Sequence, residues 1–368
     1  MGCSSSKSAH DVVVAEPYPH AIYSPPRGLS QALNAFQQPG PTPVGTTQQL
    51  FYPQQNATYL APSNDGVDWA NYRELQQYKA QYWIDYDDLS IIRSLPCNYM
   101  KTEVGNLNGQ PVLIKSFDLS KSPDEIAKSR KSLVSEIKSM ARIHHPNIVA
   151  FLGFNLSPDH GLVCVSEYMD NQTLRDLLEK PKVASKLSWA VEKIGYAIDI
   201  CSALAYMHSL KPTLIHRNVK AAKVLLSFEH PRAKLSGFGV SRERSYVQEM
   251  TNKIGEIEWS APELLIDGED YTEKVDVYSF GMLLTELDTC ATPFADEKAT
   301  MHANDFTNAL ATGALRPKLS PYCPTVISKV VKYCLQQDPH LRPSSSTVLD
   351  MLNDAKADLA RQPAQPVP

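Results

Sequence analysis

The chain has 368 residues, a formal net charge of -4 and 21% charged side chains. That length allows one large or two ordinary domains with a substantial core, and the slight acidity removes the basic footprint of a nucleic-acid binder, so no nucleic-acid partner is expected. Seven cysteines (Cys3, Cys97, Cys164, Cys201, Cys290, Cys323 and Cys334) are odd in number and lack CxxC spacing. This argues against a disulfide framework or a zinc site and favours a reducing compartment. No run of about 18 apolar residues occurs and no apolar stretch follows the start, so neither a bilayer span nor a secretory leader is expected.

Met1-Gly2-Cys3-Ser4-Ser5-Ser6-Lys7 fits the N-myristoylation pattern, with Gly2 exposed after Met removal and Ser6 in the favoured position. One acyl chain binds membranes only reversibly, so a second signal is needed. Lys7 and Arg27 are the only basic residues of the first 60, which leaves Cys3 as the palmitoylation candidate. The expected location is the cytoplasmic face of a membrane, the plasma membrane by preference, and otherwise the cytoplasm. Residues 1–65 are rich in Pro, Gln, Tyr, Ser and Gly without an apolar period and read as a disordered tether; Tyr18, Tyr23, Tyr52 and Tyr59 are either modification sites or aromatic spacers. Trp69, Tyr72, Leu75, Tyr78 and Tyr82 recur at spacings of three and four, predicting a short amphipathic helix over 66–83.

From residue 84 the pattern becomes globular. Leu89 to Leu95 and Pro111 to Phe117 read as strands, and Gly161 to Ser166 as a buried strand. Ser122-Pro123-Asp124-Glu125 is a capping box with Pro at the first helical position, opening a helix to about Arg142. Helices dominate from Leu187, and 357–368 read as a frayed tail. Strands followed by helices predict two lobes within one α+β domain.

Val112-Leu113-Ile114-Lys115, Glu136, His144-His145-Pro146-Asn147-Ile148-Val149, Glu167-Tyr168-Met169, Leu214-Ile215-His216-Arg217-Asn218-Val219-Lys220, Ala261-Pro262-Glu263, Asp276-Val277-Tyr278-Ser279-Phe280-Gly281 and Arg342 occur in that order. Over 84–356 the chain resembles the protein-kinase family, and within it the tyrosine-kinase-like Ser/Thr group. The resemblance implies a bilobal α+β fold: a small antiparallel β lobe with one helix, and a larger helical lobe. It also implies a Lys115–Glu136 ion pair, a small gatekeeper Ser166, a hinge at Glu167 to Met169, and Leu225 beneath the nucleotide. Glu263 and Arg342 would pair inside the large lobe, Asp276 would cap the catalytic-loop backbone, and Met140, Phe238 and His216 would stack between lobes.

The chemical positions depart from the family. Asn218 stands where a proton-accepting Asp is needed, Lys223 where an Asn would hold metal, and Gly237 where Asp-Phe-Gly supplies its carboxylate. Residues 96–104 lack glycine, so the backbone there cannot approach a triphosphate closely. Leu113 narrows the adenine pocket, and Glu256 replaces the substrate-positioning Thr. Loss of the base costs ~10²–10⁴ in rate and loss of an electrostatic stabiliser ~10²–10³. From ~1–100 s⁻¹ for working kinases, the residue is roughly 10⁻² s⁻¹ or below.

The expectation is therefore a degenerate member of the family, a pseudokinase: a membrane-tethered scaffold or allosteric regulator whose partners are signalling proteins such as an active kinase. No cofactor is expected, ATP binding should be weak, and no metal should bind, because Mg²⁺ requires hard oxygen ligands. The alternatives are an atypical Ser/Thr kinase with residual phosphotransfer and a metal-independent nucleotide sensor. Ser241, Ser245, Tyr246 and Thr251 are phosphorylation candidates, with Arg217 positioned to receive a phosphate.

Overall fold

The computed structural model describes residues 69–96, 100–169, 171–227, 233–240, 242–243, 256–266 and 271–361. Gly2 and Cys3, the tether, and Ser241, Ser245, Tyr246 and Thr251 lie outside the described residues.

Trp69, Tyr72, Leu75 and Tyr78 are three residues apart, and the chain answers with a 3₁₀ helix over Arg73–Tyr78 followed by one α turn, α1 (Lys79–Tyr82). In a 3₁₀ helix side chains three apart eclipse, and the element is mostly 3₁₀ where an amphipathic α-helix was expected. Leu75 is completely buried, and Tyr72 is buried beside it. The Trp69 and Trp83 rings lie 6.1 Å apart, with the Lys79 ammonium 5.8 and 4.8 Å from their centroids. Trp83 meets Phe154 edge-on at 5.8 Å, and Tyr82 packs on Phe151 while donating its hydroxyl to the Ala141 carbonyl at 3.1 Å. The packing thus already includes Trp69, ahead of residue 84.

Next come β1 (Leu89–Leu95), β2 (Lys101–Leu107), β3 (Gln110–Ser116), helix α2 (Pro123–Met140), β4 (Phe151–Ser157) and β5 (Gly161–Glu167). The strands form one antiparallel sheet in the order β1-β2-β3-β5-β4. Along β3, Val112 and Ile114 are buried on one face while Leu113 and Lys115 take the other, the alternation that lets one strand serve two environments. Register sets Leu113 opposite Ser166 and Val112 opposite Glu167. Both halves of the capping box form at the start of α2: the Ser122 hydroxyl accepts the Glu125 N–H at 3.4 Å, and the Glu125 carboxylate accepts the Ser122 N–H at 3.1 Å.

The helical lobe contains α3 (Leu174–Leu178), α4 (Pro181–Ala184), α5 (Glu192–Ser209), α6 (Pro262–Leu265), α7 (Lys274–Thr289), α8 (Ala295–Thr300), α9 (Ala303–Thr312), α10 (Thr325–Cys334) and α11 (Ser345–Arg361). Between α5 and α6 lie the short strands β6 (Leu214–Ile215), β7 (Val224–Leu226), β8 (Ala233–Leu235) and β9 (Arg242–Glu243), paired β6 with β9 and β7 with β8. Helix α7 is buried continuously from Val275 to Asp288 and forms the axis of the lobe. Helix α11 passes residue 356 and ends at Arg361, because Leu359 continues the buried series Val348, Leu352 and Ala355. The tail expected over 357–368 is therefore helical in its first part.

Glu263 opens α6 and meets Arg342 in a buried two-pronged ion pair of 2.6 and 2.8 Å. The guanidinium also donates to the carbonyls of Gln336, Gln337 and Lys274 and lies 5.0 Å over the Tyr278 ring. Every donor is answered, which is what makes a charge in the interior tolerable. Replacing Arg342 by Met leaves the Glu263 carboxylate buried and alone. The expected loss is ~3–5 kcal/mol of stability, read from denaturant unfolding; a loss under about 1 kcal/mol would show that the pair is not structural.

Candidate functional site

The buried Asp276 side chain organises the cleft floor. Its two oxygens accept the backbone N–H groups of His216 and Arg217, both at 2.7 Å, and the His208 ring nitrogen at 2.9 Å. Burial alone would raise this carboxyl pKa, but the hydrogen bond and charge of His208 and the neighbouring His216 outweigh it and hold it below the ordinary carboxylate range. Arg217 adopts a left-handed backbone with φ of 64°, a conformation costing about 1–2 kcal/mol for a residue with a Cβ; the short Asp276 bond holds it there. The Arg217 guanidinium donates to the Tyr271 hydroxyl at 3.0 Å and is buried.

The His216 ring is completely buried and stands edge-on to Phe238 at 5.1 Å, with Met140 buried in the same core cluster. Nε2 donates to the Ser236 carbonyl at 3.0 Å, and Nδ1 accepts the Asn218 N–H at 3.3 Å. Burial lowers the imidazole pKa to about 4, so the ring is neutral near pH 7.

Above this floor, Lys115 and Glu136 meet at 2.5 Å, joining β3 to α2. The segment after Gly237 touches the same helix: the Ser132 hydroxyl donates to the Gly239 carbonyl at 3.4 Å. At the hinge, Ser166 is buried opposite Leu113. The Glu167 carboxylate turns to Lys234, at 2.7 and 2.8 Å, and to the Ala150 N–H at 2.8 Å. Tyr168 accepts a hydrogen bond from Arg93 at 2.8 Å. Met169 and Leu225 are half-buried at the hinge and on β7.

At the metal positions the geometry is specific. Gly237 has φ of 91°, and a Cβ there would lie 2.9 Å from Lys223 Cδ and 3.4 Å from Cε. The Lys223 stem is thus laid over Gly237 and takes the room an aspartate side chain would need. Burial, then the charges of Lys220 and Lys115, lower the Lys223 pKa. Among the described residues no group of three His, Cys, Asp or Glu side chains is placed to hold a metal ion. A side chain carrying positive charge, packed on a glycine, does not fit Mg²⁺, whose ligands are hard oxygens.

The description "Protein tyrosine and serine/threonine kinase" belongs to the family whose model matches residues 97–352. The chain is a member of that kinase family. Two proteins of Dictyostelium discoideum, each named a probable serine/threonine-protein kinase, are similar to it. One is 34% identical over 282 residues, covering 76% of this chain and 29% of its own length. The other, roco8, is 33% identical over 263 residues, covering 68% of this chain and 14% of its own. The chain therefore spans less than a third of either relative.

The kinase domain also holds functional-site residues that sequence reasoning missed. Glu286 of α7, fully buried, accepts the Ala221 N–H at 2.9 Å and the Trp259 indole at 2.8 Å, and pairs with Arg175 at 3.3 Å. Burial raises its pKa, and it fixes the end of the catalytic loop as Asp276 fixes the start. Lys220, expected only as part of the loop motif, is ion-paired to Glu256 and stands 5.2 Å over the Trp259 ring. These partners lie far away in sequence, and no local pattern announces them.

The buried neutral His216 predicts an acid-sensitive fold. Its pKa is about 4 in the folded state against an ordinary 6.5, so between those values the unfolded chain binds a proton that the folded chain refuses. The stabilisation is complete above pH 6.5 and is lost as pH falls toward 4, by about 3 kcal/mol in total. Unfolding curves across this range should be steeper in pH for wild type than for His216→Leu; equal slopes would contradict the assignment.

Proposed function

We propose that this kinase domain is a pseudokinase that works as a scaffold or allosteric regulator, with signalling proteins such as an active protein kinase as partners. The observation that carries this reading is the Lys223 stem lying across Gly237, which replaces two metal-holding side chains with one tethered cation. Asn218 completes the loss, because an amide is not a base at neutral pH. The fold-organising charges are satisfied at the same time: Asp276, Glu263 with Arg342, and Lys115 with Glu136. Helix α2, held by the Lys115 pair and by Gly239, is the element whose outer surface a partner would read.

A second reading, residual Ser/Thr phosphotransfer, draws on the intact Lys115–Glu136 pair and on the names of the relatives. Purified protein with ATP, Mg²⁺ and a general protein substrate separates the two by mass spectrometry. The expected result is no phosphorylated product beyond that of Lys115→Ala. Transfer abolished by Lys115→Ala would establish an enzyme and end the pseudokinase reading.

For location, no described helix is long and apolar enough to cross a membrane. We infer acylation at Gly2 and Cys3 as the attachment, on the motif alone. Gly2→Ala should move the protein from the membrane fraction to the soluble one; unchanged partition would refute this.

A further inference from the structure

Among the described residues the cleft gathers three ammonium groups, Lys115, Lys220 and Lys223, around two carboxylates, Glu136 and Glu256. Lys115 is paired with Glu136 and Lys220 with Glu256. Among the described residues the Lys223 side chain has no hydrogen-bond acceptor, and the residue is partly buried.

Lys223 is nevertheless held in place. Its carbonyl accepts both the Ser236 N–H at 2.9 Å and the Ser236 hydroxyl at 3.0 Å, and its stem rests where Gly237 lacks a Cβ. The residue therefore loses little freedom on binding an anion, which favours affinity. An ammonium partly removed from water without a partner is penalised, and burial with two like charges nearby already weakens its hold on its proton. An incoming anion relieves both costs.

We propose that Lys223, braced on Gly237 and flanked by Lys115 and Lys220, is a direct binding position for a diphosphate-bearing anion free of divalent metal. This rests on the reading that the metal-holding positions are gone. Its consequence is a reversed role for Mg²⁺. In a site built of carboxylates the ion bridges protein and phosphate. Here the fixed cation takes that place, so Mg²⁺ neutralises the anion in advance and is itself repelled by Lys223.

The test is calorimetric titration of the whole chain with inorganic pyrophosphate and with ADP, each in EDTA and in excess Mg²⁺. No phosphate acceptor is present, so the outcome is independent of any phosphotransfer. Binding is expected in EDTA and should weaken on adding Mg²⁺. Lys223→Met, which keeps a comparable stem and removes the charge, should weaken it by roughly 10-fold or more, with a thermal midpoint in the absence of ligand no lower than that of wild type. Comparable affinity for the two probes identifies the diphosphate as the recognised group; a strong preference for ADP identifies a nucleotide bound through the same position. Binding indifferent to Lys223→Met, or no heat up to roughly 10 mM of either probe, overturns the proposal while leaving the pseudokinase reading intact; binding that requires Mg²⁺ overturns the proposal and the loss of the metal positions together.

Discussion

The Asp276 carboxylate is the contact on which the cleft depends. It comes from the buried axis α7 and is spent on two backbone N–H groups and one histidine, all from the loop and helix facing it. By gripping His216 and Arg217 it forces the left-handed turn at Arg217 and directs His216 under Phe238. The placement of Gly237 beneath Lys223 follows from that. Glu286, nearly three turns along the same helix, repeats the device at Ala221. The loop is suspended between two buried acids on one rigid element, so its shape does not require a substrate.

This separates two kinds of charge in one molecule. Interior charges that answer each other, Asp276 with His208 and the loop amides, Glu263 with Arg342, hold the architecture and are costly to break singly. On the proposed reading, the groups that would answer a ligand are replaced: an amide at 218, an ammonium at 223 and no side chain at 237. A fold can lose the second set with little harm to the first, because the two sets share few partners. The small lobe stays knit through Lys115 and Glu136, and its helix still meets the segment after Gly237 through the Ser132–Gly239 contact; neither involves the altered positions.

Much of this was legible in the chain itself. The order of motifs announced the bilobal fold, the Ser122–Glu125 box announced α2, and the resemblance placed Leu113 and Lys115 at the cleft. The Glu263–Arg342 pair was readable through resemblance alone, since nothing local marks it. Other features were hidden for physical reasons. Trp69 to Tyr78 showed its period of three openly, yet the choice of 3₁₀ over α depends on how Leu75 and Tyr72 seat against the domain. Glu286, Trp259 and Arg175 converge from remote segments, and a long-range meeting of polar groups leaves no periodic trace. Lys223 and Gly237 look like two unrelated losses in the sequence; only the 2.9 Å approach makes them one unit.

The stacked Trp69, Lys79 and Trp83 bear on how this molecule can be cut. Those side chains and Leu75 roof over Phe154, Phe151 and the back of α2. A fragment begun at residue 84, where the motifs first become recognisable, would lay that oily seam bare and invite self-association. The smallest well-behaved piece starts instead at Trp69, which makes the stretch ahead of the first strand part of the body rather than its leash.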